Sequence, residues 1–134
     1  MSIVYALEPG LSAAEFRAVL VASTLGERRP VNEPARLEQM LRHADVIVTA
    51  RDGGRLVGVS RAITDFAYCC YLSELAVDSA YQHQGIGKRL VAETRLAAGE
   101  AAMLMLIAAP TAEGYYSKIG MQRVKSCWRI PRSS

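Results

Sequence analysis

Residues 72–90 read LSELAVDSAYQHQGIGKRL, an apolar stretch that passes through a polar loop into a helix start. Leu72 to Val77 ends a long strand that begins near Ala67, Asp78 to Gln84 is the loop, and Gly85 opens the helix. That helix turns Leu90, Val91, Thr94 and Ala98 inward and stops at Gly99. Glycines at 85 and 87 let main chain approach a ligand closely, and the N–H groups of a helix start attract phosphate. Lys88 and Arg89 add the means for charge-assisted contacts. Two phosphate loops are excluded by spelling. A Walker A loop needs G-x-x-x-x-G-K-[ST], whereas position 82 is Gln82 and Arg89 follows Lys88; a dinucleotide fingerprint, G-x-G-x-x-G/A, fails at Leu90.

Outward from this segment the chain alternates period. Ile3 to Leu7 reads as a short first strand. Ser12 and Glu15 form an S-x-x-E capping box with Leu11 and Phe16 as its staple; Phe16, Val19 and Leu20 give the buried stripe, and Gly26 the stop. A second helix begins near Asn32, takes Pro34 in its first turn and carries Leu37, Met40, Leu41 and Ala44 on one face. Val46 to Ala50, the Asp52-Gly53-Gly54 turn and Arg55 to Ile63 then make an antiparallel hairpin, and Thr64-Asp65 turns into the long strand. After Gly99, Met103 to Ile107 reads as a buried strand, parallel to the one before the loop because a helix joins them. Pro110 breaks the chain, Thr111 starts a short helix to Lys118, Gly120 ends it, and Val124 to Ile130 has room for one or two terminal strands. The expected fold is α/β: a mixed, mostly antiparallel sheet with helices on both faces and a parallel pair in its middle.

Composition narrows the function. At 134 residues, 51% hydrophobic and 22% charged, the chain has the size and make-up of a single globular domain spanning 1–134. The net charge of +3 suits a small anionic ligand, and the scattered basic pairs give no nucleic-acid surface. Cys69, Cys70 and Cys127 are an odd number with two adjacent, which fits a reducing, cytoplasmic setting; with His43 and His83 far apart, no metal site is expected. The apolar run from Ala101 to Ala109 is about half the ~20 residues a membrane span needs. No basic stretch precedes an apolar one at the N-terminus, so no secretion signal is expected.

Gln82, Gly85 and Gly87 stand at the fixed positions of Q/R-x-x-G-x-G/A, the coenzyme A loop of the GNAT N-acetyltransferase superfamily. Tyr115-Tyr116-Ser117-Lys118-Ile119-Gly120-Met121 resembles that superfamily's later F-Y-x-K-x-G-F motif, with Met121 in place of the last aromatic and Ala112 four residues before Tyr116. The hairpin Arg51 to Arg55 with Leu56-Val57-Gly58-Val59 resembles its paired second and third strands, so the likeness covers roughly residue 46 to the end. The resemblance implies six to seven strands with four helices, and a splayed parallel pair that admits pantetheine against the backbone of Leu75, Ala76 and Val77. It assigns the loop Gln82, His83, Gln84, Gly85, Ile86, Gly87, Lys88 and Arg89 to acetyl-CoA, the amides of about Gln84 to Arg89 receiving the pyrophosphate. Many members carry an asparagine seven residues before the motif tyrosine; here that place is Ala109.

The implied chemistry is attack of an amine on a thioester. A lysine-like amine, with a pKa of about 10.4, is neutral in only about one molecule in two thousand at pH 7, so a base is useful. Glu74 is the candidate base, and by resemblance Tyr116 is the donor to the departing thiolate, while the Ala76 amide polarises the carbonyl. Tyr115 is expected to pack inward, and the cysteines to be inert rather than acyl carriers. Two acceptors remain open, a small amine or a peptide lysine or N-terminus. A third reading is a non-catalytic acyl-CoA sensor. The stretch Cys127-Trp128-Arg129-Ile130 pairs across a homodimer or finishes the chain's own core.

Overall fold

The computed structural model describes residues 2–133. Its sheet has five strands in the order β1-β2-β3-β4-β5: β1 Ile3–Leu7, β2 Val46–Asp52, β3 Arg55–Thr64, β4 Cys69–Val77 and β5 Met103–Met105. The first three pairings are antiparallel and β4–β5 is parallel. Helices α1 Ala13–Ala22 and α2 Pro34–Arg42 lie between β1 and β2, α3 Ile86–Ala98 joins β4 to β5, and α4 Glu113–Lys118 follows β5.

Local signals explain most boundaries. Ser12 accepts from the Glu15 amide at 3.1 Å and starts α1. The reciprocal half of the expected capping box is not made, because the Glu15 carboxylate pairs with Arg51 at 2.8 Å. Helix α1 ends at Ser23, followed by left-handed Thr24 and a 3-10 turn at Leu25–Arg28, so Gly26 lies inside that turn rather than ending the helix. Pro34 occupies the first turn of α2, and Gly99 closes α3 with φ 90°.

The sheet divides two cores. On one face α3 packs Ile86, Leu90 and Ala98 against Val48, Ala50, Val57, Cys70 and Leu72. On the other, α1 and α2 bring Phe16, Val19, Leu20, Leu37 and Leu41 onto Ile47, Val59 and Ala76. Inside the α3 face the Ser60 and Thr94 hydroxyls meet at 2.6 Å, so both buried polar groups are satisfied.

One irregularity sets the site. In the β3–β4 ladder Arg61 pairs with Glu74 but Ala62 pairs with Leu72, leaving Ser73 as an extra residue, a β-bulge. The extra residue reverses the alternation. Cys70 and Leu72 face α3, whereas Glu74 and Ala76 face α1 and α2.

Two expectations need correction. Among the described residues there are five strands, not six to seven, and Val124 to Ile130 forms none. The parallel pair therefore stands at the sheet's edge, and β5 ends at Met105 rather than Ile107.

Candidate active site

Strand β4 has two edges of unequal use. Its inner edge pairs with β3 from Cys70 to Val77. Its outer edge meets β5 over three residues only, Cys69 to Tyr71, and from Leu72 onward it has no strand partner. The strands part there and open a cleft of about 680 Å³. Leu72, Ser73, Leu75, Ala76 and Val77 form one wall, Leu106, Ile107 and Ala109 to Ala112 the other, and Tyr116 stands in it. Gln82 and Ser79 lie on the α3 side, and Ser23 to Leu25 with Glu27, Arg28 and Arg29 on the α1 side.

The loop ahead of α3 is held at both ends. Asp78 caps the turn Ser79–Tyr81 through the Ala80 amide at 2.9 Å, the Tyr81 hydroxyl donates to Asp52 at 2.7 Å, and Ser79 donates to the Ala22 carbonyl at 2.9 Å. Gln82 donates from Nε2 to the Val77 carbonyl at 3.1 Å, tying the loop back to the end of β4. His83 and Gly85 then adopt left-handed φ of 64° and 81°, which turns the chain into the helix. The His83 imidazole is exposed, and the Ile86 side chain is in the core, which leaves only its amide for a ligand.

The helix start offers fewer amides than the sequence promised. The Arg89 amide already donates to the Gly85 carbonyl at 3.1 Å. The Tyr115 hydroxyl lies against the Lys88 main chain. A Cβ at Gly87 would stand 2.7 Å from that hydroxyl, so the Tyr115 side chain would have to shift to admit one. Among the described residues the amides from Gln84 to Gly87 have no hydrogen-bond acceptor, which leaves them free to meet a phosphate. Of the two loop cations, Lys88 is exposed with no partner among the described residues, whereas Arg89 lies 4.6 Å over the Tyr5 ring and 3.6 Å from Glu93.

Tyr115 and Tyr116 point to different tasks. Their rings meet edge to face, 5.2 Å apart with planes at 76°. Tyr115 reaches the α3 N-terminus rather than the core, and Tyr116 lines the cleft. Burial raises the pKa of both phenols above 10, Tyr116 further through its neighbour Tyr115, so both keep their protons at neutral pH. Tyr116 is thus protonated at neutral pH, the state that a proton donor requires.

Glu74 is differently placed from its expected role. It is 2% exposed and does not line the cleft. One carboxylate oxygen is held by Arg61; the other accepts from Arg29 Nε at 2.7 Å and from the Ser73 hydroxyl at 2.9 Å. Three donors fill three of its roughly four lone-pair sites. Arg61 is anchored in turn on the Met40 carbonyl, and Arg29 on the carbonyls of Ser73 and Arg28 at 2.7 and 2.9 Å. Glu74 therefore fixes Arg29, which does face the cleft. Sequence spacing carries no trace of this network, because Arg29 and Glu74 are 45 residues apart. Glu27 and Arg28 also line the cleft; both are exposed and neither has an ion-pair partner among the described residues.

Among the described residues no three His, Cys, Asp or Glu side chains gather as a metal site would need, and no helix is long and apolar enough to cross a membrane. All three cysteines are free.

Solved structures with this architecture include a GNAT family acetyltransferase from Streptococcus pneumoniae TIGR4, 26% identical over 99% of this chain and 98% of its own, with a TM-score of 0.81. An aminoglycoside N-acetyltransferase in complex with CoA is 15% identical over 99% and 96% with a TM-score of 0.75. A ribosomal-protein-alanine N-acetyltransferase from Brucella melitensis biovar Abortus 2308 is 20% identical over 98% and 100%, with a TM-score of 0.72. No curated protein sequence matches the chain. The profile of the acetyltransferase (GNAT) domain matches residues 23–127, most of the chain, and with the splayed strands and the glycine loop this establishes that the protein belongs to the GNAT acetyltransferase family.

Proposed function

We propose that the protein transfers the acetyl group of acetyl-CoA directly to the primary amine of a small molecule. The observation that carries this reading is the cleft itself. It leads from Ser79 and Gln82 in the loop ahead of α3 along the unpaired edge of β4 to Tyr116 and on to the α1 side of the sheet. A pyrophosphate suits the first-turn amides of α3, with Lys88 as its counter-charge. An extended pantetheine arm suits the outer edge of Leu75, Ala76 and Val77, where it adds as a strand would.

In this scheme the amine nitrogen attacks the thioester carbon, whose oxygen is polarised by the Ala76 amide. The carbon–sulfur bond then breaks and its electron pair leaves on sulfur. Tyr116 gives that sulfur a proton, and the proton lost by the new amide nitrogen returns to the phenolate through water. Glu74 is a positioning residue that holds Arg29 at the acceptor end. Free thiols at all three cysteines suit a reducing, cytoplasmic setting.

The acceptor end carries one unpaired carboxylate, Glu27, beside one unpaired guanidinium, Arg28, with Arg29 behind them. Adjacent opposite charges suit an amine that also bears an anionic group, such as an amino acid, better than a polycation. The test is thiol release from acetyl-CoA, with product mass, across amino acids, polyamines, aminoglycosides and peptides. Acetylation of an amino-acid-type amine is expected. Tight CoA binding without turnover on any acceptor would instead make the protein an acyl-CoA sensor.

A further inference from the structure

Helix α4 carries Tyr116, yet the helix by itself does little to keep that phenol in the cleft. It is six residues long and none of them is fully buried. Among the described residues it gives no side chain to either core. The chain reaches it from β5 through residues 106–112, which hold one 3-10 turn, Pro110–Ala112, and no strand. Its polar side-chain contacts are local: the Ser117 hydroxyl donates to the Gly114 carbonyl at 3.3 Å, and Glu113 pairs with Arg123. A helix this short is not stable on its own in water, so what orients it must come from outside.

Tyr115 is the residue of α4 that reaches α3. Its hydroxyl lies against the Lys88 main chain and 2.7 Å from where a Cβ on Gly87 would stand, with two ring carbons behind it at 3.4 and 3.7 Å. The N-cap of α3 is Gly85, which has no side chain to meet the first-turn amides, so a hydroxyl brought there from another helix has a use. On its other side the Tyr115 ring meets Tyr116 edge to face, with 5.2 Å between centroids and 76° between planes. Contacts thus run unbroken from the first turn of α3 through Tyr115 to the Tyr116 ring. Tyr115 also stands where the motif F-Y-x-K-x-G-F has phenylalanine, so the hydroxyl on α3 is this chain's own addition to that pattern.

We infer that Tyr115 is a positioning residue for the proton donor: its hydroxyl seats α4 on the first turn of α3 and so holds the Tyr116 phenol at the cleft. The inference rests on the reading of Tyr116 as the donor to the departing thiolate. A general acid works only within hydrogen-bond reach of the atom it protonates, roughly 2.6–3.2 Å. A displacement of about 1 Å can therefore cost up to about a hundredfold in rate. The seat also sets the donor on the same helix start that is proposed to receive the pyrophosphate. Cofactor and acid are then aligned on one rigid element rather than on two separate loops.

Tyr115→Phe removes one oxygen and leaves the ring. Circular dichroism and CoA affinity should hold, while kcat should fall about tenfold with KM for the acceptor nearly unchanged. In a Tyr116→Phe background the same change should cost nothing further, because a residue that acts through Tyr116 then has nothing left to position. A second readout needs no turnover. With 3-fluorotyrosine at all six tyrosines, the fluorine line that disappears in Tyr116→Phe belongs to Tyr116. That line should be single and sharp in the parent chain, and broadened or split by exchange in Tyr115→Phe. If no amine is acetylated but the line responds in this way, the seat stands and acetyl transfer is what fails. The inference is overturned by losses that add in the double variant, by an active Tyr115→Phe chain with unchanged kcat, or by a Tyr116 line of equal width in both chains.

Discussion

At the α3 end of the cleft the groups proposed to face a ligand are main chain: the amides at the start of α3 and the unpaired edge of Leu75 to Val77. At the α1 end they are side chains: Glu27, Arg28 and Arg29, the last fixed by Glu74. A backbone site tolerates most sequence changes and fails where an added Cβ intrudes, so it suits a ligand that never varies. A side-chain site changes with every substitution, so it suits the partner that does.

The largest effect that sharpens this contrast is expected at Glu74. Glu74→Gln leaves Arg61, 7% exposed, and Arg29 without a counter-charge, and breaking a buried pair in this way costs about 3–5 kcal/mol of stability. Thermal melts should show the loss, while titration of the folded variant with CoA should show nearly unchanged affinity. A parallel collapse of CoA affinity would mean the two ends are one unit and the contrast is false.

Tyr116→Phe comes next, at the junction of the two ends. Loss of a general acid should lower kcat about a hundredfold, with CoA affinity preserved. The pH profile carries the sign. Activity should rise with pH as the amine acceptor loses its proton. The active phenol is the protonated form, and burial holds its pKa above 10, so the falling limb belongs above pH 10 and should vanish in the phenylalanine variant. A falling limb below pH 9 would assign the donor role elsewhere.

Gly87→Ala tests the main-chain end. The new methyl would stand 2.7 Å from the Tyr115 hydroxyl but 3.4 Å from the ring carbon behind it. CoA affinity should fall about tenfold, or 1.4 kcal/mol by calorimetry. Removing the hydroxyl as well, in Gly87→Ala with Tyr115→Phe, should recover most of the loss. Failure of that rescue would show that the glycine serves the ligand alone.

The main-chain end was legible in the sequence because its signals are local. A glycine with φ 81° and a helix start at Ile86, nine residues after β4 ends at Val77, can be read from neighbours in the chain. The other end was not, for a reason that can be named. The bulge at Ser73 turns Glu74 toward α1 and α2, and no spacing rule announces a bulge. The Arg29–Glu74 pair closes over 45 residues. Tyr115, expected to pack inward, is half-buried and lies against the start of α3 at Gly87 rather than in either core. The terminal strands expected at Val124 to Ile130 do not form among the described residues, because a strand needs a paired ladder as well as an alternating pattern.

The smallest expected effect is at Arg28, and it decides what the side-chain end is for. Arg28 has no partner among the described residues, so removing it breaks no internal contact and should leave stability within about 0.5 kcal/mol. In the proposed scheme CoA binds through the other end, so its affinity should not move. If the guanidinium meets an anionic group on the acceptor, Arg28→Ala should raise KM for amines bearing a carboxylate by about five- to tenfold, the roughly 1 kcal/mol of a half-exposed charge-assisted bond. The same change should leave KM for a simple alkylamine where it was. Glu27→Gln should do the reverse, weakening acceptors through their ammonium and sparing their carboxylate. Equal shifts for both amine types would reduce Arg28 to a nonspecific surface charge, and the acceptor's chemistry would then be set by Arg29 alone.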